Sequence, residues 1–85
     1  FTRANLGRAQ LGGCRLRGAV FSESKLVDGD LAGADVYEGT FQGAEVTRAN
    51  LTRSNLYRAN FFRAFGEGVR TDGANVDGTY WEKKR

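Results

Sequence analysis

Ala49–Arg63 read ANLTR SNLYR ANFFR, three units of five residues with a small side chain first, Asn second and Leu or Phe third. The same frame runs outward in both directions without a slip: ANLGR AQLGG CRLRG AVFSE SKLVD GDLAG ADVYE GTFQG AEVTR before it, and AFGEG VRTDG ANVDG TYWEK after it. Counted from Phe1, the third or central position falls at every fifth residue through Trp81. Large apolar side chains fill all of these positions except Gly66 and Thr71. The residue two places earlier is Ala, Gly, Ser, Cys or Thr in every unit but one, the exception being Val69.

Two inward residues separated by one outward residue is strand geometry, because successive side chains on a strand point to opposite faces. A helix of period 3.6 would scatter positions spaced by five. Each unit therefore reads as a short extended step followed by a corner. A second period sets the number of corners: Phe1, Phe21, Phe41, Phe61 and Trp81 stand twenty residues apart and take five of the chain's six Phe and one Trp. Repetition at twenty marks a stacked architecture. It predicts a coil of four sides in which residues n, n+20 and n+40 stack at about the 4.8 Å spacing of paired strands. These five aromatics form the expected core ladder. The small residues beside them keep each narrow layer from overpacking. Asn5, Asp30, Asp35, Asn50, Asn55, Asn60 and Asn75, each just before a central residue, suit a step whose backbone groups a short polar side chain can satisfy.

The pattern small, Asn or Asp, Leu or Phe, then two variable positions resembles the pentapeptide repeat family. ANLGR, ANLTR, SNLYR and ANFFR carry the resemblance most closely. It is unbroken over residues 1–64, weakens over 65–73 and returns in ANVDG. The expected fold class is all-β: a solenoid of about four coils of 20 residues forming a four-sided parallel β-helix, whose right-handedness the resemblance alone implies. The expected division is a regular β-helix over 1–64 followed by a degenerate last coil and C-terminal cap over 65–85. A start at Phe1, in mid-repeat, suggests a piece of a longer protein.

Composition narrows the function. The chain has no His, the commonest general base and metal ligand, and one Cys, so zinc pairs and an internal disulfide are excluded. Cys14 falls at a small inward position and reads as a buried structural thiol. Ser22, Ser24 and Ser54 have no base partner, and Ser24 and Ser54 fall at inward positions. GDLAGAD is repeat corner rather than a phosphate loop leading into a helix. The expectation is a protein that is not an enzyme and needs no cofactor. No apolar run approaches the ~20 residues of a membrane helix, and nothing resembles a signal peptide. A cytoplasmic, bacterial setting is expected, and the resemblance leaves open a place in a larger secreted or effector-associated protein.

The net charge of +3 is not evenly spread. Residues 1–20 carry four Arg and no acid, 21–40 carry five acids and Lys25, and 41–60 carry three Arg and Glu45. Stacked by twenties, Arg3 falls beside Glu23, Asp28 between Arg8 and Arg48, and Glu38 beside Arg58. Such pairs support register. Arg48, Arg53, Arg58 and Arg63 occupy matching corners and make a candidate basic ring, too regularly opposed by acids to favour nucleic acid. The resemblance implies a second possibility, a DNA mimic that binds or protects a type II topoisomerase such as gyrase. Mimicry needs acidic columns along the rod, whereas here the acids form a belt around it.

Outward aromatics complete the candidate surface. Tyr37 and Tyr57 should stack, with Arg17 beyond Tyr37. Phe62, Phe65 and Tyr80 also face outward near the C-terminal end, and two readings stand open: a partner or self-association surface, or a cap in which Phe65 folds in as a lid. Glu82, Lys83, Lys84 and Arg85 form a short charged tail that reads as a solvated terminus. The function expected is a rigid module for protein contact.

Overall fold

The computed structural model describes residues 1–81. Within them the chain winds through four coils, 1–20, 21–40, 41–60 and 61–80, and Trp81 starts a further layer. Every regular side is built alike. The residue before each central position makes a parallel bridge to its equivalent twenty residues on, from Asn5↔Lys25 to Asn60↔Tyr80. The central residue then begins a four-residue turn, closed by bonds such as Ala4 N–H to Phe1 C=O at 3.0 Å and Ala44 N–H to Phe41 C=O at 3.0 Å. Positive φ at the third residue of each turn gives the sign pattern of a type II corner. Four bridges and four corners per coil make the solenoid four-sided, as the twenty-residue period requires.

Between coils, the bridge residues of coils 2 to 4 each pair through both backbone groups with the coil before: the Lys25 N–H donates to Ala4 C=O at 2.9 Å, and the Lys25 C=O accepts from the Leu6 N–H at 2.8 Å. The seven Asn and Asp residues before central positions all turn a side-chain oxygen to the N–H two residues on, as in Asn55 Oδ1 accepting from Tyr57 at 3.2 Å. Each thus holds the entry to its corner, where a backbone donor would otherwise need water.

The interior is the set of central and small positions. Phe21, Leu26, Leu31, Val36, Phe41, Val46, Leu51, Leu56 and Phe61 are sealed, and Ala34, Ala44, Ala49 and Ala59 fill the gaps between them. Fully burying one such large side chain is worth about 1.5–3 kcal/mol. The ladder rings lie nearly parallel, at centroid separations of 5.3, 4.9, 4.5 and 4.3 Å from Phe1 through Trp81. Ser24 and Ser54 sit inward as expected and donate their hydroxyls to the Phe21 and Leu51 carbonyls, each at 2.7 Å, so neither is an available nucleophile.

One expectation is corrected, and one of two open readings falls. Cys14 is exposed, unlike Ala34 and Ser54 in its own column. It belongs to coil 1, which among the described residues has a neighbouring layer on one side only, and a small inward residue is sealed by the layers on both sides of it. Phe65 does not fold in as a lid. It stays on the coil path, bridged to Glu45, with its ring outward and 55% exposed. The chain departs from the pattern just after it, where Gly66 takes φ 133° and the usual corner bond from residue 69 is missing. A Cβ at Gly66 would lie 2.6 Å from the Thr47 nitrogen, so only glycine lets the side pass this close to the coil before it. With Gly66 and Thr71 at central positions, the fourth layer is underfilled. An open hollow of about 520 Å³ remains, bounded by Leu56, Val69, Thr71, Val76, Thr79 and Trp81.

Candidate interaction surface

Outward side chains fall into columns that run along the stack, because each residue lies over the one twenty positions away. In one column Tyr37 and Tyr57 stack at 5.5 Å and 15°. The Arg17 guanidinium caps the pair from coil 1, 4.3 Å from the Tyr37 ring centre, and reaches sideways to Asp35 at 3.4 Å. Asp35 in turn accepts from Asn55 Nδ2 at 3.1 Å. Every member of this column is thus held by a neighbour, and its contribution is to rigidity.

The expected C-terminal aromatics do not form one cluster. Phe62 and Tyr80 meet at 5.8 Å with their planes tilted by 33°, and the Arg63 guanidinium lies 5.3 Å from the Phe62 ring centre. Tyr80 is 53% exposed and Phe62 half-buried. Phe65 lies around the next corner, and no aromatic ring stacks on it among the described residues. The surface therefore has a corner formed by Phe62, Arg63 and Tyr80, with Phe65 on the adjacent side. The tail at Glu82, Lys83, Lys84 and Arg85 lies outside the described residues.

The four corner arginines differ. Arg48 grips Asp28 with two hydrogen bonds, Nε to Oδ1 at 2.7 Å and Nη2 to Oδ2 at 3.0 Å. That contact, with Arg8 adding a weaker pull from the other side, holds the Asp28 carboxyl below its ordinary value and raises Arg48. Arg58 lies 3.8 Å from Glu38. Arg53 and Arg63 have no carboxylate partner among the described residues. The ring is therefore half neutralised. Coil 2 is neutralised further, since Glu23, Asp28, Asp35 and Glu38 each face an arginine of an adjacent coil.

Reading by columns missed the Arg17–Asp35 pair, which crosses between columns; a long Arg side chain at an edge reaches a diagonal neighbour as easily as a direct one. It also missed the role of Gly43, Gly68, Gly73 and Gly78. The stems of Glu23, Arg48, Arg53 and Arg58 lie across them, each Cγ within 3.0–3.2 Å of where a Cβ would stand. A long charged residue followed twenty residues later by glycine, once in each corner column, was the available signal. Among the described residues no group of three or more His, Cys, Asp or Glu could hold a metal, and no helix is long and apolar enough to cross a membrane.

The sequence profile described as Pentapeptide repeats (8 copies) matches residues 1–36 and 30–65. The chain belongs to the pentapeptide repeat family. Its four-sided parallel β-helix is right-handed, as in the family's solved members. The pentapeptide repeat protein HetL, involved in heterocyst differentiation regulation in the cyanobacterium Nostoc, is similar at 20% identity and a TM-score of 0.51, over 89% of this chain and 46% of that one. A pentapeptide repeat protein from the cyanobacterium Cyanothece is 27% identical over 94% of this chain and 62% of its own, with a TM-score of 0.42. A second one from Nostoc is 26% identical over 98% and 64%, with a TM-score of 0.42. The chain thus spans about half the length of HetL and under two thirds of the other two. No curated protein sequence matches the chain. The profile ends at residue 65, next to the Gly66 departure from the pentapeptide repeat frame.

Proposed function

We propose that this pentapeptide repeat chain is a non-enzymatic, rigid module for protein contact, and that it binds through the C-terminal corner formed by Phe62, Arg63 and Tyr80, with Phe65 at its margin. The observation that carries the reading is the outward Phe62–Tyr80 pair under the Arg63 guanidinium. Large aromatic side chains and Arg supply most of the energy of protein interfaces, and here they stand on a scaffold that loses little entropy on binding. Self-association through this corner is the form of contact that can be tested first. Light scattering of the full chain across the micromolar range should give a mass above that of one chain, and Phe62→Asp combined with Tyr80→Ala should return it to one chain without changing the far-ultraviolet circular dichroism. A single-chain mass for both proteins, together with no protein retained by the wild type and lost by the variant, would overturn the reading.

Topoisomerase mimicry has less support. A phosphate-like column needs unneutralised acids in line with the axis, and four of the five acids of coil 2 face arginines above or below. On this reading, gyrase supercoiling is unaffected by the protein at micromolar concentration, and protection of the enzyme in that assay would reinstate the mimic.

A further inference from the structure

The stack is not fastened equally at every level. Arg3–Glu23 and Arg17–Asp35 join coil 1 to coil 2, and Arg48–Asp28 and Arg58–Glu38 join coil 2 to coil 3. Among the described residues no ion pair joins coil 3 to coil 4. The reason lies at the corners. Gly68, Gly73 and Gly78 lie against the stems of Arg48, Arg53 and Arg58 and have no head group to return. Glu67, Asp72 and Asp77 each stand one residue earlier and make no ion pair among the described residues. The interior is thinner at this junction too. Over Val46, Leu51 and Leu56, all sealed in coil 3, coil 4 sets Gly66, Thr71 and Val76. Contact between neighbouring coils is what holds a solenoid together, and here it rests mainly on the backbone ladder. Arg70, Asn75 and Tyr80 donate to the Ala49, Ser54 and Ala59 carbonyls, and the Thr79 hydroxyl donates to Leu56 C=O at 2.8 Å.

A pivot stands where this junction begins. Phe65 is still paired through both backbone groups with coil 3, its N–H to Ala44 C=O at 2.9 Å and its C=O from the Val46 N–H at 2.8 Å. Gly66 then takes φ 133°, the corner bond from Val69 to Gly66 is absent, and Gly68 takes φ 76°. Two glycines around a corner that lacks its closing bond can absorb a change of backbone direction. The pivot also divides the aromatic corner. Phe62 precedes Gly66 and stays with coil 3, whereas Tyr80 follows it, so their 5.8 Å contact exists only while the junction is closed.

We infer that the chain from Gly66 to Trp81 opens from coil 3 as one unit about the Gly66–Gly68 pivot, and that this opening takes the Phe62–Tyr80 corner apart. Both junctions compared, coil 2 to 3 and coil 3 to 4, lie inside the described stack, whatever precedes Phe1 or follows Trp81. A partner that spans both rings binds only the closed form and holds it closed. As regulation of binding this rests on the reading of the corner as a partner surface; the motion itself is measured in the chain alone, so its failure leaves the light-scattering test of the corner standing. Native-state hydrogen exchange of the full chain, followed by NMR in low urea, reads it. The Leu51, Leu56, Arg70, Asn75 and Tyr80 amides close the coil 3 to coil 4 junction, and the Leu31, Val36, Asn50 and Asn55 amides close that between coils 2 and 3. The first group should exchange through one shared opening with a common urea dependence, about tenfold or more faster than the second. Tyr80→Ala should speed the first group roughly threefold without moving the second, because it removes an aromatic contact that only the closed form makes. Thr71→Leu, which adds apolar volume beside the hollow of the fourth layer, should slow the first group. Protection that falls away residue by residue toward Trp81, equal exchange in the two groups, or a first group unmoved by Tyr80→Ala would each overturn the inference.

Discussion

Replacing Phe41 with Ala tests whether the aromatic ladder is the structural axis of the molecule. Phe41 is sealed, with the Phe21 ring 4.9 Å away on one side and the Phe61 ring 4.5 Å away on the other. The ladder rings are nearly parallel and spaced by the strand repeat, so the neighbours cannot close the gap without breaking bonds between coils. The site should therefore collapse poorly and the cost should fall toward the upper part of the range for Phe→Ala, about 3–5 kcal/mol. Two stacked contacts are lost with the ring, each worth about 0.5–1.5 kcal/mol. For a chain this size total stability is on the order of 4–13 kcal/mol, so the variant should be largely unfolded or melt more than about 12 °C lower. Phe1→Ala is the internal control. Phe1 belongs to the same ladder but is 57% exposed and stacked on one side only, at 5.3 Å, so its loss should cost about 1 kcal/mol. Urea unfolding of both, followed by circular dichroism and by the fluorescence of Trp81 on Phe61, measures the difference. A Phe41→Ala cost within about 1 kcal/mol of wild type, or equal costs at the two sites, would refute the ladder as the core.

The other expectations concern corners and charge. Gly66→Ala should destabilise by about 2–3 kcal/mol in urea unfolding, since its Cβ would meet the Thr47 backbone at 2.6 Å; Gly33→Ala, at φ 71° with open space around it, should cost only the strain of a left-handed residue, about 1 kcal/mol. Asp28 is held below its ordinary value, chiefly by its hydrogen bond with Arg48, so its contribution to stability is present above the unfolded-state value, about pH 4, and is lost as pH falls through the lower folded-state value. Carboxyl titration by NMR should place Asp28 below an ordinary aspartate, and Asp28→Asn should flatten the acid limb of the stability curve; an Asp28 that titrates like a free aspartate contradicts the bidentate pair. Cys14 should react with a thiol reagent in the native state at nearly the rate of the unfolded chain, and strong native protection would show its face covered.

Sequence alone determined what the stacking vector determines. Once n lies over n+20, the ladder, the inward serines, the Tyr37–Tyr57 pair and three of the four ion pairs follow by arithmetic, because neighbours are set by register. Legibility failed where a residue's surroundings depend on something other than register. Cys14 has the same pattern position as Ala34 and differs only in having one neighbouring layer. For Phe65 the sequence left an outward surface and an inward lid both open, the lid because Gly66 and Thr71 break the apolar series, yet a broken series signals only an underfilled layer. The backbone around it still pairs with Glu45 and Asn50, and those bonds keep the ring outside. Arg17 selects Asp35 over any acid of its own column by reach, which periodicity does not encode.

The corners explain why so much charge is spent on so small a rod. Nine of them hold Arg, Glu or Asp at φ between 55° and 63°, a left-handed conformation that costs a residue with a Cβ roughly 1 kcal/mol or more. Glycine would relieve that strain and already serves at Gly13, Gly18 and Gly33. What a long side chain adds is reach along the axis: the stems of Glu23, Arg48, Arg53 and Arg58 lie over Gly43, Gly68, Gly73 and Gly78 in the next coil, and the heads of Glu23, Arg48 and Arg58 meet opposite charges in the preceding one. Exposed pairs of this kind are individually worth little. In a repeat whose apolar interior looks nearly the same after a shift of five residues, however, a slip that paired n with n+15 would set Glu23 against Glu38 and Arg48 against Arg63, whereas a slip to n+25 would still oppose unlike charges. The corner charges therefore tie each coil to the next along the axis and resist one direction of slip, and among the described outward side chains they leave the aromatic corner at Phe62 and Tyr80 free of a carboxylate partner.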